Sequence, residues 1–360
     1  MKLNLIQGDC LDAMKKLPAN SVDSIVTDPP YGLSKDPDLK DVLTRWLAGE
    51  DYIHRGGGFM GKSWDSFVPG PSVWRECYRV LKPGGFLLSF FGSKTYDLGT
   101  TAIRLAGFEV RDQIMWVYGS GFPKSINISN AFRLSGYRDE AETWKGWGSG
   151  LKPAHEPICM ARKPFKLTLI ANILANGTGG MNIDACRIPS PEGKTRGGRG
   201  RCSGATGFQS SPSYSDLDPR GRWPSNFLHD GLNGEEWTRY FYCPKTSKED
   251  RNSGMTSPLM PGKEMVNRKE GSAGIEHPRA GAGGRSGARN FHPTVKPTPL
   301  MAWLCQLVTP EGGIILDPFM GSGSTGKAAI AKKFGFIGIE NDPGYYSIAC
   351  QRLFFQRDNI

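Results

Sequence analysis

The sequence predicts an α/β fold in which helices cover both faces of a doubly wound sheet. Over residues 1–165, short apolar runs alternate with segments of helical pattern, which is typical of βαβ units. The same alternation resumes over residues 291–360. Because crossovers between parallel strands are right-handed in almost all proteins, the two stretches are expected to build one sheet of this kind.

The first elements lead to a polar turn. Residues 3–6 are predicted as a short strand and residues 10–17 as a helix, with Asp9 as its N-cap. Residues 22–27 are predicted as a buried strand, which ends at the turn Asp28-Pro29-Pro30-Tyr31-Gly32. This turn is therefore expected at the rim of the sheet.

Three further strands are predicted before residue 165. A helix at residues 74–81 is stopped by Lys82-Pro83-Gly84-Gly85. Residues 86–91 then form a continuous apolar run, as expected of a parallel strand covered on both faces. Residues 113–118 and 157–161 are predicted as two more strands of that kind.

The last part of the chain repeats the strand-turn-helix order. Residues 313–316 are predicted as a strand that ends in a Gly-rich turn at residues 317–326. A helix at residues 327–333, a strand at 336–340 with an acid at its end and a helix at 343–356 follow.

The middle of the chain, residues 166–290, is predicted as an insertion between two halves of one domain, residues 1–165 and 291–360. From about residue 191 on, this segment has few long apolar runs and is rich in Gly, Ser and Arg, with interspersed aromatic residues. One interpretation is a nucleic-acid surface, since arginines contact phosphates and aromatic rings stack on bases. A loop-rich insertion with solvated charges is the alternative.

The amino-acid composition indicates what kind of partner the protein binds and in which cellular compartment it works. The formal net charge of +10 favours an anionic partner, with nucleic acid before an acidic membrane surface. No stretch approaches 18 uninterrupted apolar residues, so no membrane span is expected. The eight cysteines form no C-x-x-C pair, so no metal site is predicted and free thiols in a reducing cytoplasm are expected.

The Gly-rich turn predicts a cofactor site. Glycines at such a turn let the backbone approach a ligand, and a carboxylate about twenty residues on accepts the hydroxyls of a ribose. Gly321, Gly323 and Gly326 have the dinucleotide spacing, and Glu340 lies 17 residues after Gly323. We therefore expect an adenosine-containing cofactor. A NAD-dependent dehydrogenase would use similar glycines but would leave the turn at Asp28 unexplained.

The turn at residues 28–31 suits an amino group on a flat ring. The carboxylate of Asp28 and a nearby carbonyl can accept both protons of one exocyclic amine, and Tyr31 offers a flat face for stacking. A tight polar turn after a buried strand is the alternative interpretation.

Together the two motifs resemble those of the DNA amino-methyltransferases. Asp28-Pro29-Pro30-Tyr31 looks like their catalytic motif, and residues 317–325 look like their S-adenosylmethionine motif. The catalytic motif comes first, as in the β group of this family. The resemblance implies a Rossmann-like methyltransferase fold with circularly permuted motif order and an inserted target-recognition region.

Shorter segments share the resemblance. Gln7-Gly8-Asp9-Cys10 resembles a motif near the cofactor adenine, and residues 292–297 resemble one against the methionine end of the cofactor. His155-Glu156-Pro157 also has a family counterpart, without an assigned role. Arg222-Trp223-Pro224 and residues 241–245 are similar to a prophage-associated subgroup.

The resemblance implies roles for individual residues. Asp28, Pro29, Pro30 and Tyr31 would be catalytic, with Tyr31 stacked on a base flipped out of the DNA. Lys296 would hold the methionine carboxylate of S-adenosylmethionine, and a surface lysine before Pro297 is the alternative interpretation. The implied cofactor-binding residues are Asp9, Lys296, Asp317, Pro318, Phe319, Gly321, Gly323, Ser324, Thr325 and Glu340.

The implied function is methyl transfer to N6 of adenine in double-stranded DNA, because the family uses Asp at the first motif position mostly for adenine. Transfer to N4 of cytosine is the first alternative. Methylation of RNA or of a protein glutamine is another, and a catalytically silent nucleic-acid-binding module is an alternative of a different class. A homodimer and a cognate restriction endonuclease are left open as partners.

Overall fold

The computed structural model describes residues 2–34, 36–54, 58, 63–118, 125–188, 194–197, 213–216, 220–229, 247–256 and 289–359. The strands in these ranges are β1 (Leu3–Gln7), β2 (Val22–Thr27), β3 (Leu81–Phe90), β4 (Glu109–Val117), β5 (His155–Arg162), β6 (Lys194–Gly197), β7 (Ser213–Asp216), β8 (Phe227–His229), β9 (Ile314–Asp317) and β10 (Gly335–Glu340). Eight of them form one sheet in the order β1-β10-β9-β2-β3-β5-β4-β8, and β6 pairs with β7.

The same ranges contain the following α-helices. They are α1 (Cys10–Lys15), α2 (Leu39–Leu47), α3 (Pro71–Val80), α4 (Tyr96–Leu105), α5 (Ile128–Leu134), α6 (Arg138–Thr143), α7 (Leu169–Asn176), α8 (Lys248–Asn252), α9 (Thr298–Val308), α10 (Ser324–Ala331) and α11 (Pro343–Asp358). Within the described part of the chain, none has the length and hydropathy of a membrane span.

Two hydrophobic clusters pack on the two faces of the sheet, which confirms the doubly wound α/β prediction. Along β2, Val26 belongs to the cluster under α9 and α10, and Ile25 to the cluster under α1 and α3. Neighbouring strand residues point to opposite faces, so β2 is buried on both sides. All six of its residues are buried.

The prediction of a parallel strand at residues 157–161 is wrong in direction. β5 runs antiparallel to both of its neighbours, β3 and β4. An apolar run indicates that a strand is buried on both faces, as any inner strand of a covered sheet is. It does not indicate whether the strand is parallel or antiparallel to its neighbours. As a result, His155 and Glu156 at the start of β5 lie at the edge where the parallel strands end.

Parts of the predicted insertion join the main sheet. α7 lies against β3, where the Asn172 side-chain amide donates to the Pro83 carbonyl at 3.1 Å. β8 pairs in parallel with β4. The division at residues 165/166 and 290/291 stays a prediction, and the segment at 241–245 lies outside the described residues.

Candidate active site

A cavity of about 920 Å³ opens at the carboxyl edge of β2, β9 and β10. This edge collects the ends of several parallel strands, where open α/β sheets bind ligands. With one exception, Gly323, the predicted site residues line it. They are Asp9, Asp28, Pro29, Pro30, Tyr31, Lys296, Asp317, Pro318, Phe319, Gly321, Ser324, Thr325 and Glu340.

The turn after β2 is held by side chains from outside it. Asp65 accepts hydrogen bonds from the backbone N–H groups of Tyr31 at 2.7 Å and Gly32 at 3.1 Å. The Thr95 hydroxyl donates to the Tyr31 carbonyl at 2.6 Å. Gly32 has φ +66°, and a Cβ there would lie 3.0 Å from Phe67 Cα. The turn is therefore fixed before any ligand binds.

A buried charged cluster surrounds the Asp28 side chain. Lys296 Nζ lies 2.5 Å from Asp28 Oδ2 and 3.4 Å from Glu156 Oε2. The Tyr31 hydroxyl donates to Glu156 Oε2 at 2.7 Å. Only 6% of the Lys296 side chain is exposed. Two carboxylates thus share one ammonium, which leaves one negative charge in excess.

Burial and pairing act in opposite directions on these groups. Burial raises the pKa of Asp28 above its ordinary value, although the ammonium of Lys296 opposes the rise. Burial alone would lower the pKa of Lys296, but Asp28 and Glu156 outweigh it and raise that pKa. The lysine is therefore charged, and Asp28 is a stronger proton acceptor than an exposed carboxylate.

One oxygen of Asp28 is available for a ligand. Oδ1 is buried, and among the described residues no contact with it meets the distance and angle limits of a hydrogen bond, although the Tyr31 hydroxyl lies close enough to lower the pKa of Asp28. A buried carboxylate oxygen without a donor is unfavourable, by about 1–3 kcal/mol or more. Asp28 lines the cavity, so this oxygen is the candidate acceptor for an N–H group that enters the cavity.

Asp317 closes β9 on the other side of the cavity. Its Oδ1 accepts from the Thr27 hydroxyl at 2.6 Å and from Phe319 N at 3.1 Å. Burial raises the pKa of Asp317 to about 6, despite these hydrogen bonds. The Thr27 contact joins the end of β2 to the end of β9, and so ties the two motifs together.

The Gly-rich turn is shaped by two glycines in the left-handed region. Gly321 has φ +54°, and a Cβ there would lie 2.8 Å from His292 Nε2. Gly323 has φ +81° and lies behind the cavity wall, where a Cβ would meet Ala349 and Leu353 at 3.3 Å. Gly323 therefore shapes the turn into α10 and does not line the cavity.

Glu340 ends β10 and faces this turn. Its Oε2 accepts from Gly321 N and its Oε1 from Asp342 N, both at 2.8 Å. Burial raises the pKa of this carboxyl. Each carboxylate oxygen has a further lone pair, so Glu340 can still accept hydroxyl groups. Asp9 also lines the cavity, while its Oδ1 caps α1 through Leu11 N at 2.9 Å.

Sequence reasoning left two residues of the site without a role. Asp65 lies in a short 3₁₀ turn, Ser63–Asp65, and no sequence pattern marks it. Glu156 belongs to the segment His155-Glu156-Pro157, which resembles a family motif. A charged residue at the start of an otherwise buried strand is the feature that could have marked it as functional. Lys296 lines the cavity, and its ammonium contacts Asp28 and Glu156; its contact with the methionine carboxylate stays a prediction.

Known proteins resemble this chain over nearly its whole length. A family model described as DNA methylase matches residues 22–351. The Type II methyltransferase M.HindIII of Haemophilus influenzae is 24% identical over 99% of this chain and 96% of its own. The DNA adenine methyltransferase YhdJ of Escherichia coli is 25% identical over 97% and 82%. The solved structure of PvuII DNA methyltransferase (cytosine-N4-specific) is 14% identical, has a TM-score of 0.48, and covers 97% of this chain and 85% of that chain.

Proposed function

The chain belongs to the N6/N4 family of DNA methylases, and from this we propose that it methylates the exocyclic N6 of adenine in double-stranded DNA, with S-adenosylmethionine as methyl donor. The observation that carries the proposal is Asp28 Oδ1, a buried acceptor without a hydrogen bond among the described residues. The choice of adenine is supported by an aspartate at the first position of the catalytic motif. The permuted motif order and the prophage-type origin stay predictions.

The residues on the cofactor side fit an adenosine-containing sulfonium. Ser324 Oγ is a second buried polar atom without a partner in the described ranges, and Ser324 lines the cavity. Glu340 would accept the ribose hydroxyls, while Asp317 and the backbone at Gly321 would hold the rest of the cofactor. When bound, S-adenosylmethionine supplies an electrophilic methyl group.

The catalytic side then prepares the nitrogen. The target base must leave the stack, at a cost of a few kcal/mol, and the Tyr31 ring offers it a flat surface. Asp28 Oδ1 and the Pro29 carbonyl accept the two amine N–H groups. This draws electron density onto a nitrogen that is otherwise conjugated into the ring. Fixed orientation of the two reactants supplies much of the rate acceleration.

The basic charge of the chain supports DNA as the partner. The net charge of +10 suits a polyanion. We place the contacts that read the DNA sequence in residues 166–290, most of which lie outside the described residues. A homodimer and a cognate restriction endonuclease stay open as partners.

Product identity tests the proposal. The protein is incubated with S-adenosylmethionine and unmethylated genomic DNA, and the digested nucleosides are separated by mass spectrometry. N6-methyladenine is the expected product. N4-methylcytosine would keep the mechanism and overturn the base assignment. Cofactor binding without any methylated base would overturn the DNA substrate.

A further inference from the structure

We propose that Lys296 and Glu156 serve the target-base side of the reaction: Lys296 positions the Asp28 carboxylate, and Glu156 keeps Lys296 paired when Asp28 takes up a proton. This inference rests on the proposed amine methylation. It reassigns Lys296, which the sequence places with the cofactor, and gives Glu156 a role.

Three separate elements bring the cluster together. Asp28 follows β2, Glu156 is the second residue of β5, and Lys296 precedes α9. Lys296 Nζ also lies 5.3 Å from the Tyr31 ring centroid and 5.1 Å from that of Phe90. Two aromatic rings and two carboxylates therefore confine one ammonium, which is an arrangement typical of a fixed cation.

The Lys296 contact selects one oxygen of Asp28 for the substrate. Nζ binds Oδ2, so rotation of the carboxylate is restrained, and Oδ1 is the oxygen without a hydrogen bond among the described residues. An acceptor held in one orientation needs no rearrangement when the amine arrives, and such preorganisation is a large part of catalysis. Lys296 is thus a positioning residue for Asp28.

The charge balance of the reaction explains Glu156. As the N–C bond forms, the C–S bond breaks and its electron pair stays on sulfur, which leaves the nitrogen cationic. A proton then passes to Asp28 Oδ1: the N–H bond breaks, its electron pair stays on nitrogen, and an O–H bond forms. Asp28 is now neutral, and Lys296 would be a buried cation without a counter-ion if Glu156 did not lie 3.4 Å away.

The raised pKa of Asp28 agrees with this sequence of events. Burial makes the carboxyl a better proton acceptor, while Lys296 opposes this rise of the pKa and so favours the ionised form. Asp28, Glu156 and Tyr31 face the ammonium across the cluster, and the buried Asp317 at the end of β9, whose pKa is raised to about 6, interacts with Asp28. Removal of the ammonium should therefore let Asp28 take up a proton at higher pH.

Lys296→Met tests the proposal, because it keeps the length of the side chain and removes the charge. We expect kcat at saturating cofactor to fall about 100-fold at pH 7, within the range for loss of acid–base positioning. The acid limb of the kcat profile should move up by about one to three pH units, the shift that an adjacent cation exerts on a carboxyl. The dissociation constant of S-adenosylmethionine should change less than about threefold, below the tenfold that 1.4 kcal/mol of lost binding would give.

Glu156→Gln is the second variant, and Lys82→Met is the matched control. Glu156→Gln keeps the shape of the side chain and should lower kcat about tenfold, less than Lys296→Met, since Asp28 still pairs with the lysine. Lys82 forms a 2.6 Å ion pair with Asp23 and is absent from the cavity lining. Its loss should lower thermal stability without moving the pH profile.

Two results would overturn the inference. In the first, Lys296→Met binds S-adenosylmethionine more than tenfold more weakly and regains wild-type kcat at saturation, as expected of a group that holds the methionine carboxylate. In the second, the folded variant shows an unchanged pH profile. If the wild-type protein forms no methylated base at all, the proposed function fails instead.

Discussion

The two sides of the cavity are built in different ways. The side that we propose for the cofactor is built mainly from one contiguous segment, residues 317–340, with Gly321 and Gly323 in left-handed conformations and Glu340 accepting from Gly321 N. The base side is a cluster of side chains from distant parts of the chain, in which Lys296 joins Asp28 and Glu156. The first therefore depends on shape and the second on charge.

This difference separates binding from transfer. A cofactor is held by a fixed surface, so changes of shape on that side should weaken affinity. A weakly nucleophilic amine needs an acceptor of the right charge and orientation, so changes of charge on the base side should lower kcat. Variants of matched chemistry can test whether the two sides are in fact independent.

Asp28→Ala should have the largest effect. It removes the carboxylate oxygen proposed to accept from the amine, so methyl transfer should fall by about 10³-fold or more, while the affinity for S-adenosylmethionine stays nearly unchanged. The measurement pairs a methyl-transfer assay with calorimetric titration of the cofactor. Asp139→Ala, on the exposed surface of α6, is the control, and full activity in Asp28→Ala would refute the catalytic assignment.

Gly321→Ala should show the opposite pattern. The new Cβ would stand 2.8 Å from His292 Nε2 in a left-handed backbone, and His292 is packed 4.4 Å from the Tyr345 ring. Strain and displacement of about 1–3 kcal/mol should weaken cofactor binding about 10- to 100-fold and leave kcat at saturation nearly intact.

Gly312→Ala is a control that separates the effect of backbone strain from the effect of the steric clash with His292. Gly312 has φ +70°, but a Cβ there meets nothing within 4 Å, and it does not line the cavity. We expect this variant to lose some stability and to bind S-adenosylmethionine normally. Equal losses of affinity in both glycine variants would show that strain alone explains the effect.

The contrast also explains what the sequence could predict. The strand-turn-helix order around Gly321 and Gly323 is local, so the sequence was sufficient to predict the Gly-rich turn at the edge of the doubly wound sheet. The turn at Asp28 was found for the same reason. The partners of Asp28 were not, because a contact between residues 28 and 296 depends on the order of strands in the sheet.

Glu156 shows how one local error hides a functional group. With β5 assigned as parallel, its first residues would lie at the amino edge of the sheet, far from Asp28. The observed antiparallel direction brings Glu156 to the carboxyl edge, within reach of Tyr31 and Lys296. Burial pattern gives the position of a strand in the layers but not its direction.

Asp317→Asn should change stability in a pH-dependent way. Burial raises the pKa of Asp317 to about 6 from 3.8, so the folded state binds a proton more tightly than the unfolded state does. The stabilising effect of that proton is fully present below about pH 4 and is lost as pH rises through about 6. The asparagine variant, which cannot ionise, should match the wild type at pH 4 and be more stable at pH 8.

The size of this gain in stability shows how much the ionised Asp317 destabilises the folded protein. A shift of about two pKa units corresponds to about 3 kcal/mol at most, which can be measured by urea unfolding of both proteins at pH 4, 6 and 8. If the variant gains stability but binds the cofactor more weakly, the ionised Asp317 is retained for binding. A difference in stability that does not vary with pH would contradict the raised pKa.

Tyr31→Phe should have the smallest effect, and it divides the base side into its two components. The variant keeps the ring on the cavity wall and loses the hydroxyl that donates to Glu156 at 2.7 Å. Loss of one such hydrogen bond, about 1 kcal/mol, should lower kcat/KM about fivefold. Tyr31→Ala also removes the stacking surface, about 1–3 kcal/mol for a base on an aromatic ring, and should weaken base flipping, measured by the fluorescence of 2-aminopurine at the target position. If the phenylalanine variant loses as much activity as the alanine variant, the hydroxyl contact to Glu156 matters more than stacking, and the base side works through its charges alone.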